Sequence, residues 1–206
     1  MDNFAISAIV AQIQILKYSF NGVWSADNFP ILSSCSTKPL FQIINTSPSN
    51  SAGAHWLLLI SIPSVVAVAS PTKLSAKKKI CVQNIIIFNS LFIPVCYFDH
   101  FNKRIRRLYK NKSKYKIHEI TPQPSIQSLS SNLCGLYCIL AATLLITKIN
   151  CCSVSPNTAK NNDSAVVALF RLNCYKILQP LSLMSEVTIV RYFNNIIGCG
   201  FKMIII

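Results

Sequence analysis

The chain has 206 residues, of which 51% are hydrophobic and 13% are charged. This composition supports one sizeable core and argues against a disordered chain. Twenty Lys and Arg against six Asp and Glu give a net charge of +14, which favours a polyanionic partner. The apolar runs are shorter than the roughly 20 residues of a membrane-spanning helix, so we expect no stable association with a membrane.

The amino-terminal segment and the cysteines indicate the compartment. Residues 4–16 are apolar, but Asp2 stands where a secretory signal carries basic residues, and no small-residue cleavage site follows cleanly. The nine cysteines are odd in number and do not form a disulfide framework. No internal repeat is visible. We therefore expect an intracellular protein that is not secreted and forms a single domain over residues 1–206.

Two apolar segments predict buried strands. The segment His55–Ile60 follows a polar loop at 45–54 and is too short for a helix. The segment Ile85–Phe88 is continuously apolar and rich in β-branched residues, as in a central strand covered on both faces. The intervening residues 61–84, which include the lysine run 77–79, are predicted to form a surface excursion.

A strongly basic segment follows, because eight of the fourteen residues in 103–116 are Lys or Arg. One interpretation is a solvated basic loop. The other is a DNA contact, in which the cations neutralise phosphates and the interleaved Tyr109 and Tyr115 stack on bases. His100 and His118, which flank this segment, are predicted to be surface loop residues. The possible DNA contacts are Lys103, Arg104, Arg106, Arg107, Lys110, Lys112, Lys114 and Lys116.

Cys134 lies where a buried helix is predicted to begin. Residues 139–146 are apolar on every side, and the cap-type residues Ser131 and Asn132 precede the cysteine. Free N–H groups and the helix dipole at this position favour a thiolate. A small core residue is the alternative interpretation. A nucleophile is favoured by Gln127 seven residues upstream, by Gly135, and by a His-Trp pair elsewhere in the chain.

Three segments, in this order, resemble the motif blocks of the adenovirus protease (adenain) family. They are Gly53-Ala54-His55-Trp56, then Ile87-Phe88-Asn89-Ser90-Leu91 with Pro94, then Gln127-Ser128 through Cys134-Gly135-Leu136-Tyr137-Cys138. Residues 20–24, with Asp27 and Pro30, are similar to the family's first motif. The resemblance covers residues 20–147, whereas 148–206 match poorly. Proteases of Polinton (Maverick) elements look like the nearest relatives, and SUMO-deconjugating proteases like more distant ones.

The resemblance implies an α+β papain-like fold of the adenain or SUMO-protease type, with a central mixed sheet packed on a buried helix headed by the nucleophile. It makes Cys134 the nucleophile, His55 the general base and acid, and Gln127 the side-chain donor to the oxyanion hole. Asn89 stands where the family usually carries Asp or Glu. An amide can still accept a hydrogen bond from the imidazole, as in the Cys/His/Asn arrangement of papain-like proteases.

The implied function is a cysteine endopeptidase that processes viral or mobile-element structural precursors, such as capsid-type proteins. The host nucleus or the virion is the implied location. The resemblance also implies DNA and a peptide as possible activators, and the chemistry itself requires no cofactor or metal. Two alternatives stay open: an isopeptidase acting on ubiquitin-like or SUMO-like conjugates, and a catalytically inactive basic protein that binds nucleic acid.

Overall fold

The computed structural model describes residues 2–32, 38–69, 77–91, 93–110, 114–120, 127, 131–151, 185, 187–189 and 191. The chain begins with helices α1 (Asn3–Gln12) and α2 (Gln14–Lys17). Strands β1 (Phe20–Ser25), β2 (Leu40–Asn45), β3 (Trp56–Ala69) and β4 (Lys77–Phe88) follow. A 3-10 helix at Val95–Tyr97, helix α3 (Asp99–Leu108), strand β5 (Tyr115–Ile120) and helix α4 (Cys134–Cys151) complete the described elements.

The strands form one five-stranded mixed sheet in the order β1-β2-β3-β4-β5. The outer pairs, β1 with β2 and β4 with β5, are parallel, whereas β3 is antiparallel to both of its neighbours. A parallel pair needs a crossover connection, and α3 provides it between β4 and β5. The α+β class and the mixed sheet expected from the sequence are therefore confirmed.

Both faces of the central strands are buried, because successive side chains of a strand point to opposite faces. Leu58, Ile86 and Phe88 belong to one apolar cluster with the residues of α4. Ile85 and Ile87, on the other face, belong to a second cluster that includes the apolar side of α3. The prediction that Ile85–Phe88 is a central strand covered on both faces is thus confirmed.

Helix α4 is the most deeply buried helix of the described chain. It begins at Cys134, where the sequence predicts the helix start, and its side chains from Leu136 to Ala142 are all buried. An interior helix of this kind is apolar on every side because no part of its circumference faces water. None of the helices in the described ranges is both long and apolar enough to cross a bilayer.

The described part of residues 61–84, which were predicted to form a surface excursion, is regular strand. Strand β3 continues to Ala69 and β4 starts at Lys77, and the two pair in register from Leu58 opposite Phe88 to Ala69 opposite Lys77. The neighbouring strands do not follow this extension: β2 pairs with β3 only as far as Ser61, and β5 pairs with β4 only from Gln83 onward. The segment therefore extends the sheet as two antiparallel strands, in which the backbone groups that face the partner strand are hydrogen-bonded.

The prediction of a basic loop is wrong for the first part of the basic segment. Residues up to Leu108 belong to α3, where Phe101 and Ile105 are buried four positions apart and the charged residues occupy the remaining faces. Because apolar residues four positions apart lie on one face of a helix, a segment with many charges can form an amphipathic helix. Among the residues after α4, the described ones include a helical turn at 187–189.

Candidate active site

His55 and Asn89 meet at one end of the central strands. His55 directly precedes β3, and Asn89 directly follows β4, which pairs with β3. The Nε2 atom of His55 lies 2.7 Å from the Oδ1 atom of Asn89. The backbone of Asn89 is held as well, because its N–H donates to the carbonyl of Ile120 at 3.1 Å. Antiparallel pairing thus joins two residues that are 34 positions apart.

The contacts of Asn89 determine the tautomer of the imidazole. The Nδ2 atom of Asn89 donates to the carbonyl of Ile93 at 2.7 Å, so its Oδ1 atom is the one that faces His55. The same Oδ1 atom also accepts the backbone N–H of Leu91 at 3.0 Å. An amide oxygen only accepts, so Nε2 of His55 carries the proton. In the neutral ring the lone pair is therefore on Nδ1, which can act as a base.

His55 is almost fully removed from water. Its ring stacks on that of Phe98, with centroids 5.7 Å apart and ring planes 25° from parallel. Burial lowers the pKa of His55 below its ordinary value of 6.5, and the hydrogen bond to Asn89 offsets part of this effect. The imidazole is consequently neutral at pH 7. Phe98 was not singled out by the sequence, because an aromatic residue after a proline-led turn has no distinguishing pattern.

Cys134 is also buried, with 7% of its surface exposed. Burial raises the pKa of its thiol above the ordinary value, although the backbone N–H groups of Trp56 and Gly135 and the side chain of Gln127 act in the opposite direction. The thiol form is therefore favoured at neutral pH, against the expectation of a thiolate at this helix start. Desolvation exceeds the effect of the N–H groups because the sulfur lies within the apolar cluster around α4.

Gln127 is held next to Cys134 by two hydrogen bonds. Its Nε2 atom donates to the carbonyl of Ser131 at 2.8 Å, and its Oε1 atom accepts from the hydroxyl of Ser90 at 2.5 Å. The amide also hydrogen-bonds to the Cys134 sulfur, where it favours the thiolate form. An amide N–H in this position can stabilise negative charge that develops beside the sulfur.

The four residues that the sequence singled out are linked to one another partly by side-chain contacts and partly by steps along the chain. Cys134 contacts Gln127, Gln127 accepts from Ser90, and Ser90 follows Asn89 in the chain. Asn89 accepts from His55, and the residue after His55, Trp56, contacts the Cys134 sulfur through its backbone. Trp56 further anchors α4, since its carbonyl accepts from the Cys138 thiol at 3.4 Å. The arrangement therefore supplies a base, a thiol and an amide donor together.

The loop before His55 depends on a glycine. A Cβ atom at Gly53 would collide with the side-chain amide of Asn45, the last residue of β2. That Asn45 side chain shapes the loop, because its Oδ1 atom accepts from the backbone N–H groups of Ser47 at 2.9 Å and Ala54 at 3.4 Å. Glycine at position 53 thus permits the close approach that places His55 at the start of β3.

Three other titratable residues, Asp99, His100 and His118, lie on α3 and β5. Asp99 is the first residue of α3, and its exposed carboxylate pairs with Lys103 at 3.3 Å. His118 was expected in a surface loop but is buried in β5, with its Nε2 atom 3.0 Å from Oδ1 of Asn84. His100 is exposed, as expected, but on α3. The described part of the chain contains no group of three or more His, Cys, Asp or Glu side chains able to hold a metal ion.

Among the basic residues of 103–116, the first four lie on α3, Lys110 follows α3, Lys114 directly precedes β5 and Lys116 lies on β5. Helix α3 packs on the face of the sheet opposite α4. Arg104 is engaged within the fold: its Nε atom donates to the carbonyl of Phe29 at 2.8 Å, and its guanidinium lies over that ring. Lys116 is half-buried and Lys112 lies outside the described residues. The exposed cations are Lys103, Arg106, Arg107, Lys110 and Lys114.

The two tyrosines of this segment are part of the protein interior. Tyr109 is buried, its hydroxyl accepts the backbone N–H of Leu32 at 2.9 Å, and burial raises its pKa to about 12. Tyr115 packs edge-on against Tyr109, with ring centroids 5.0 Å apart. The expectation that both rings stack on bases is therefore wrong for Tyr109, because its ring is already covered by the fold.

Comparison with known proteins adds little to this geometry. The chain matches no protein-family model and no curated protein sequence. Among solved structures it is similar to one described as the crystal structure of the de-sumoylating protease, with 15% sequence identity and a TM-score of 0.31. The alignment covers 95% of this chain and 71% of that chain. Similarity at this TM-score does not establish a shared fold or a shared activity.

Proposed function

We propose that the chain is a cysteine endopeptidase with Cys134 as nucleophile, His55 as general base and acid, Asn89 as the residue that orients His55, and Gln127 as oxyanion donor. The observation that carries the proposal is the 2.7 Å contact between His55 and Asn89. The residues that follow them in the chain, Trp56 and Ser90, contact Cys134 and Gln127 respectively. The contact between His55 and Asn89 leaves the basic atom of the imidazole, Nδ1, free of the Asn89 amide.

The reaction follows from the roles of these groups. Nδ1 of His55 takes the thiol proton while the sulfur of Cys134 attacks the carbonyl carbon of the peptide bond. The resulting oxyanion accepts hydrogen bonds from the Gln127 amide and from the backbone N–H of Cys134, which has no acceptor within its own helix. The imidazolium then gives its proton to the leaving amine, and water hydrolyses the thioester to release the acid and the thiol.

Burial of the site indicates when the thiol is activated. The pKa of His55 is lowered and that of Cys134 is raised, both mainly by desolvation, so the resting pair is neutral. The proton is accordingly transferred from Cys134 to His55 as the oxyanion forms. At that moment the Gln127 amide stabilises the negative charge on the oxyanion. Selective reaction is therefore expected with electrophiles that carry a peptide carbonyl and bind in the site, rather than with small alkylating reagents.

The test is cleavage of a mixed peptide library, read by mass spectrometry, by the wild type and by Cys134→Ala. Cys138→Ala is the matched control, because Cys138 is a buried cysteine one helical turn further along α4. We expect internal peptide bonds to be cut by the wild type and by Cys138→Ala, and none by Cys134→Ala. Cleavage that survives in Cys134→Ala, or its absence from the wild type with all peptides, would contradict the proposal.

The natural substrate that we propose is a structural precursor protein, a proposal that rests on the motif resemblance. Two substrate sets distinguish it from the isopeptidase alternative: capsid-type precursors with internal cleavage sites, and ubiquitin-like or SUMO-like precursors and conjugates that end in Gly-Gly. Cleavage of the first set alone supports the endopeptidase, and cleavage of the second set alone supports the isopeptidase. The Cys134→Ala variant is the control in both sets.

We further propose that α3 and the turn after it contact nucleic acid, because four exposed cations, Lys103, Arg106, Arg107 and Lys110, follow each other closely there. Within α3, Asp99 forms an ion pair with Lys103, and Nε of Arg106 donates to Oδ1 of Asn102 at 3.1 Å, which leaves the Arg106 charge unneutralised. Each cation that neutralises a phosphate of duplex DNA contributes about −0.9 to the slope of log affinity against log salt concentration. Contacts of this kind are insensitive to sequence, since they involve no base edges.

The test compares binding of a labelled DNA duplex at several salt concentrations. Replacing the four residues with Gln is expected to reduce the magnitude of the salt slope by about 2 to 4. The matched control replaces Lys17 and Arg191, which are also exposed but lie outside α3. Equal losses per charge removed in both variants would indicate attraction to the overall charge of +14 and would contradict a specific surface.

A further inference from the structure

The residue after Asn89 contacts the side chain of Gln127, the proposed oxyanion donor. Ser90 is fully buried, and its hydroxyl donates to the Oε1 atom of Gln127 at 2.5 Å. The two residues are 37 positions apart, so the contact is a product of the fold rather than of a local turn. It reaches the side chain that would stabilise the oxyanion.

The hydrogen bonds of Gln127 define which end of its amide faces each neighbour. The carbonyl of Ser131 can only accept, so the atom 2.8 Å from it must be Nε2. The Oε1 atom consequently faces Ser90, and the Ser90 hydroxyl must be the donor. One N–H of the amide is then engaged by Ser131, and the other is the group available to the Cys134 sulfur or to an oxyanion beside it.

We propose that Ser90 is a positioning residue that holds the Gln127 amide in its oxyanion-stabilising orientation, an inference that rests on the proposed function. Donation to Oε1 also polarises the amide and makes its N–H groups stronger donors. The dipeptide Asn89-Ser90 thus orients both halves of the site from the end of one strand. Asn89 holds the base, and Ser90 holds the oxyanion donor.

The chain offers a matched control for this contact. Ser61 is likewise buried, and its hydroxyl donates to the Oε1 atom of Gln83 at 2.7 Å. It lies five residues beyond Trp56 along β3, which is about 17 Å. Removing either hydroxyl leaves one buried amide oxygen without that donor, so Ser61→Ala and Ser90→Ala carry similar costs to stability. Only Ser90→Ala should affect turnover.

The test is a double-mutant cycle on the best peptide of the library. Ser90→Ala is expected to lower kcat about tenfold with little change in KM, a smaller loss than the 10²–10³ typical of deleting an oxyanion donor. In a Gln127→Ala background, Ser90→Ala should lower kcat no further. Ser90→Thr, which keeps the hydroxyl, should restore most of the rate, and Ser61→Ala should leave kcat unchanged. Melting temperatures of all variants establish that they are folded.

Inhibition by a peptide aldehyde distinguishes a role in oxyanion binding from a purely structural role. The adduct of the aldehyde with a thiol carries an oxyanion or hydroxyl at the former carbonyl, which the Gln127 amide would bind. The inhibition constant of the aldehyde should rise by the same factor as kcat falls. Equal losses of kcat from Ser90→Ala with and without Gln127, or an unchanged kcat in Ser90→Ala, would overturn the inference while leaving the peptidase intact.

The inference can also be tested without turnover. The Gln127 side-chain amide gives an NMR signal that is assigned by its loss in Gln127→Ala. We expect Ser90→Ala to shift this signal and to speed its hydrogen exchange, and Ser61→Ala to do neither. If the wild type cleaves nothing, the proposed function fails, whereas the response of this signal still decides whether Ser90 orients Gln127. A signal that does not respond overturns the inference.

Discussion

The side-chain amide of Asn89 donates a hydrogen bond of 2.7 Å to the carbonyl of Ile93. A carboxylate cannot make this bond, because it has no proton to donate. The carboxylate of an Asp at this position would place a second oxygen against the Ile93 carbonyl in a fully buried location. The Asn89 amide is therefore part of the local hydrogen-bonding structure.

From this contact we predict that Asn89→Asp lowers the free energy of unfolding by about 1 to 3 kcal/mol at pH 8, the range for an unsatisfied buried polar group. The loss should shrink as the pH falls, because a protonated Asp can donate to Ile93 again. Urea denaturation of both proteins between pH 5 and 8 measures the difference. A variant that is more stable than the wild type at pH 8 would contradict the prediction.

The lowered pKa of His55 predicts how stability depends on pH. The folded imidazole has a pKa below 6.5, mainly because it is desolvated, so between that value and 6.5 the unfolded chain binds more protons. The contribution of His55 is fully present above pH 6.5 and is lost as the pH falls through the folded pKa. Denaturation midpoints of the wild type and of His55→Gln should therefore converge on acidification, and a constant difference would contradict this.

The raised pKa of Cys134 predicts slow alkylation. The reaction with iodoacetamide should follow an apparent pKa above the ordinary value of 9.0, because burial disfavours the thiolate. At pH 7 the rate is expected to be below that of a cysteine in a short unstructured peptide, and His55→Gln should not lower it further. Mass spectrometry identifies the modified cysteine. An apparent pKa below about 8.5 that is lost in His55→Gln would instead indicate a preformed ion pair.

The close approach of Gly53 to Asn45 predicts that Gly53→Ala displaces the loop that carries His55. We expect a lower kcat and a loss of about 1 kcal/mol in stability, comparable with one hydrogen bond. Asn45→Ala removes the side chain that the new methyl group would meet. The double variant should therefore lose less than the sum of the two single variants, and strict additivity would show that the two positions do not interact.

The stacking of Phe98 on His55 predicts that Phe98→Ala admits water to the imidazole. Hydration favours the charged form, so the pKa of His55 should rise towards 6.5, and the acid limb of the pH–activity profile should move to higher pH. An NMR titration of the His55 ring measures the pKa directly. Tyr97→Ala is the control, because its neighbouring ring is exposed and is expected to leave the titration unchanged.

The sequence predicted those parts of the fold in which local pattern and burial agree. The continuous run Ile85–Phe88 could only suit a strand covered on both sides, and the apolar helix after Cys134 could only be buried. The hairpin beyond Ser61 was missed because its lysines suggested solvent, whereas cross-strand pairing determined its structure. His118 was missed for a similar reason, since its partner Asn84 lies on another strand.

The sequence singled out the candidate residues whose contacts are described above, but it did not predict the direction of their pKa shifts. Gln127 and Cys134 could be singled out from the motif segments. The contacts of Ser90 and Phe98 could not, because they form between segments that are distant in the sequence. The expectation of a thiolate considered only the helix terminus. The depth at which Cys134 lies depends on packing across the whole sheet, and that depth reverses the direction of the pKa shift.

The hairpin formed by β3 and β4 has a consequence for how this chain can vary in length. His55 and Asn89 flank its two strands, so their meeting depends on the pairing between Leu58 and Phe88 and not on the number of residues beyond it. Insertions that add one residue to each strand preserve the pairing at the site. One unmatched residue in β3 would instead present Ser90 where Asn89 belongs, and one in β4 would present Phe88 there. Tolerance to insertion and deletion should therefore rise steeply with distance from His55.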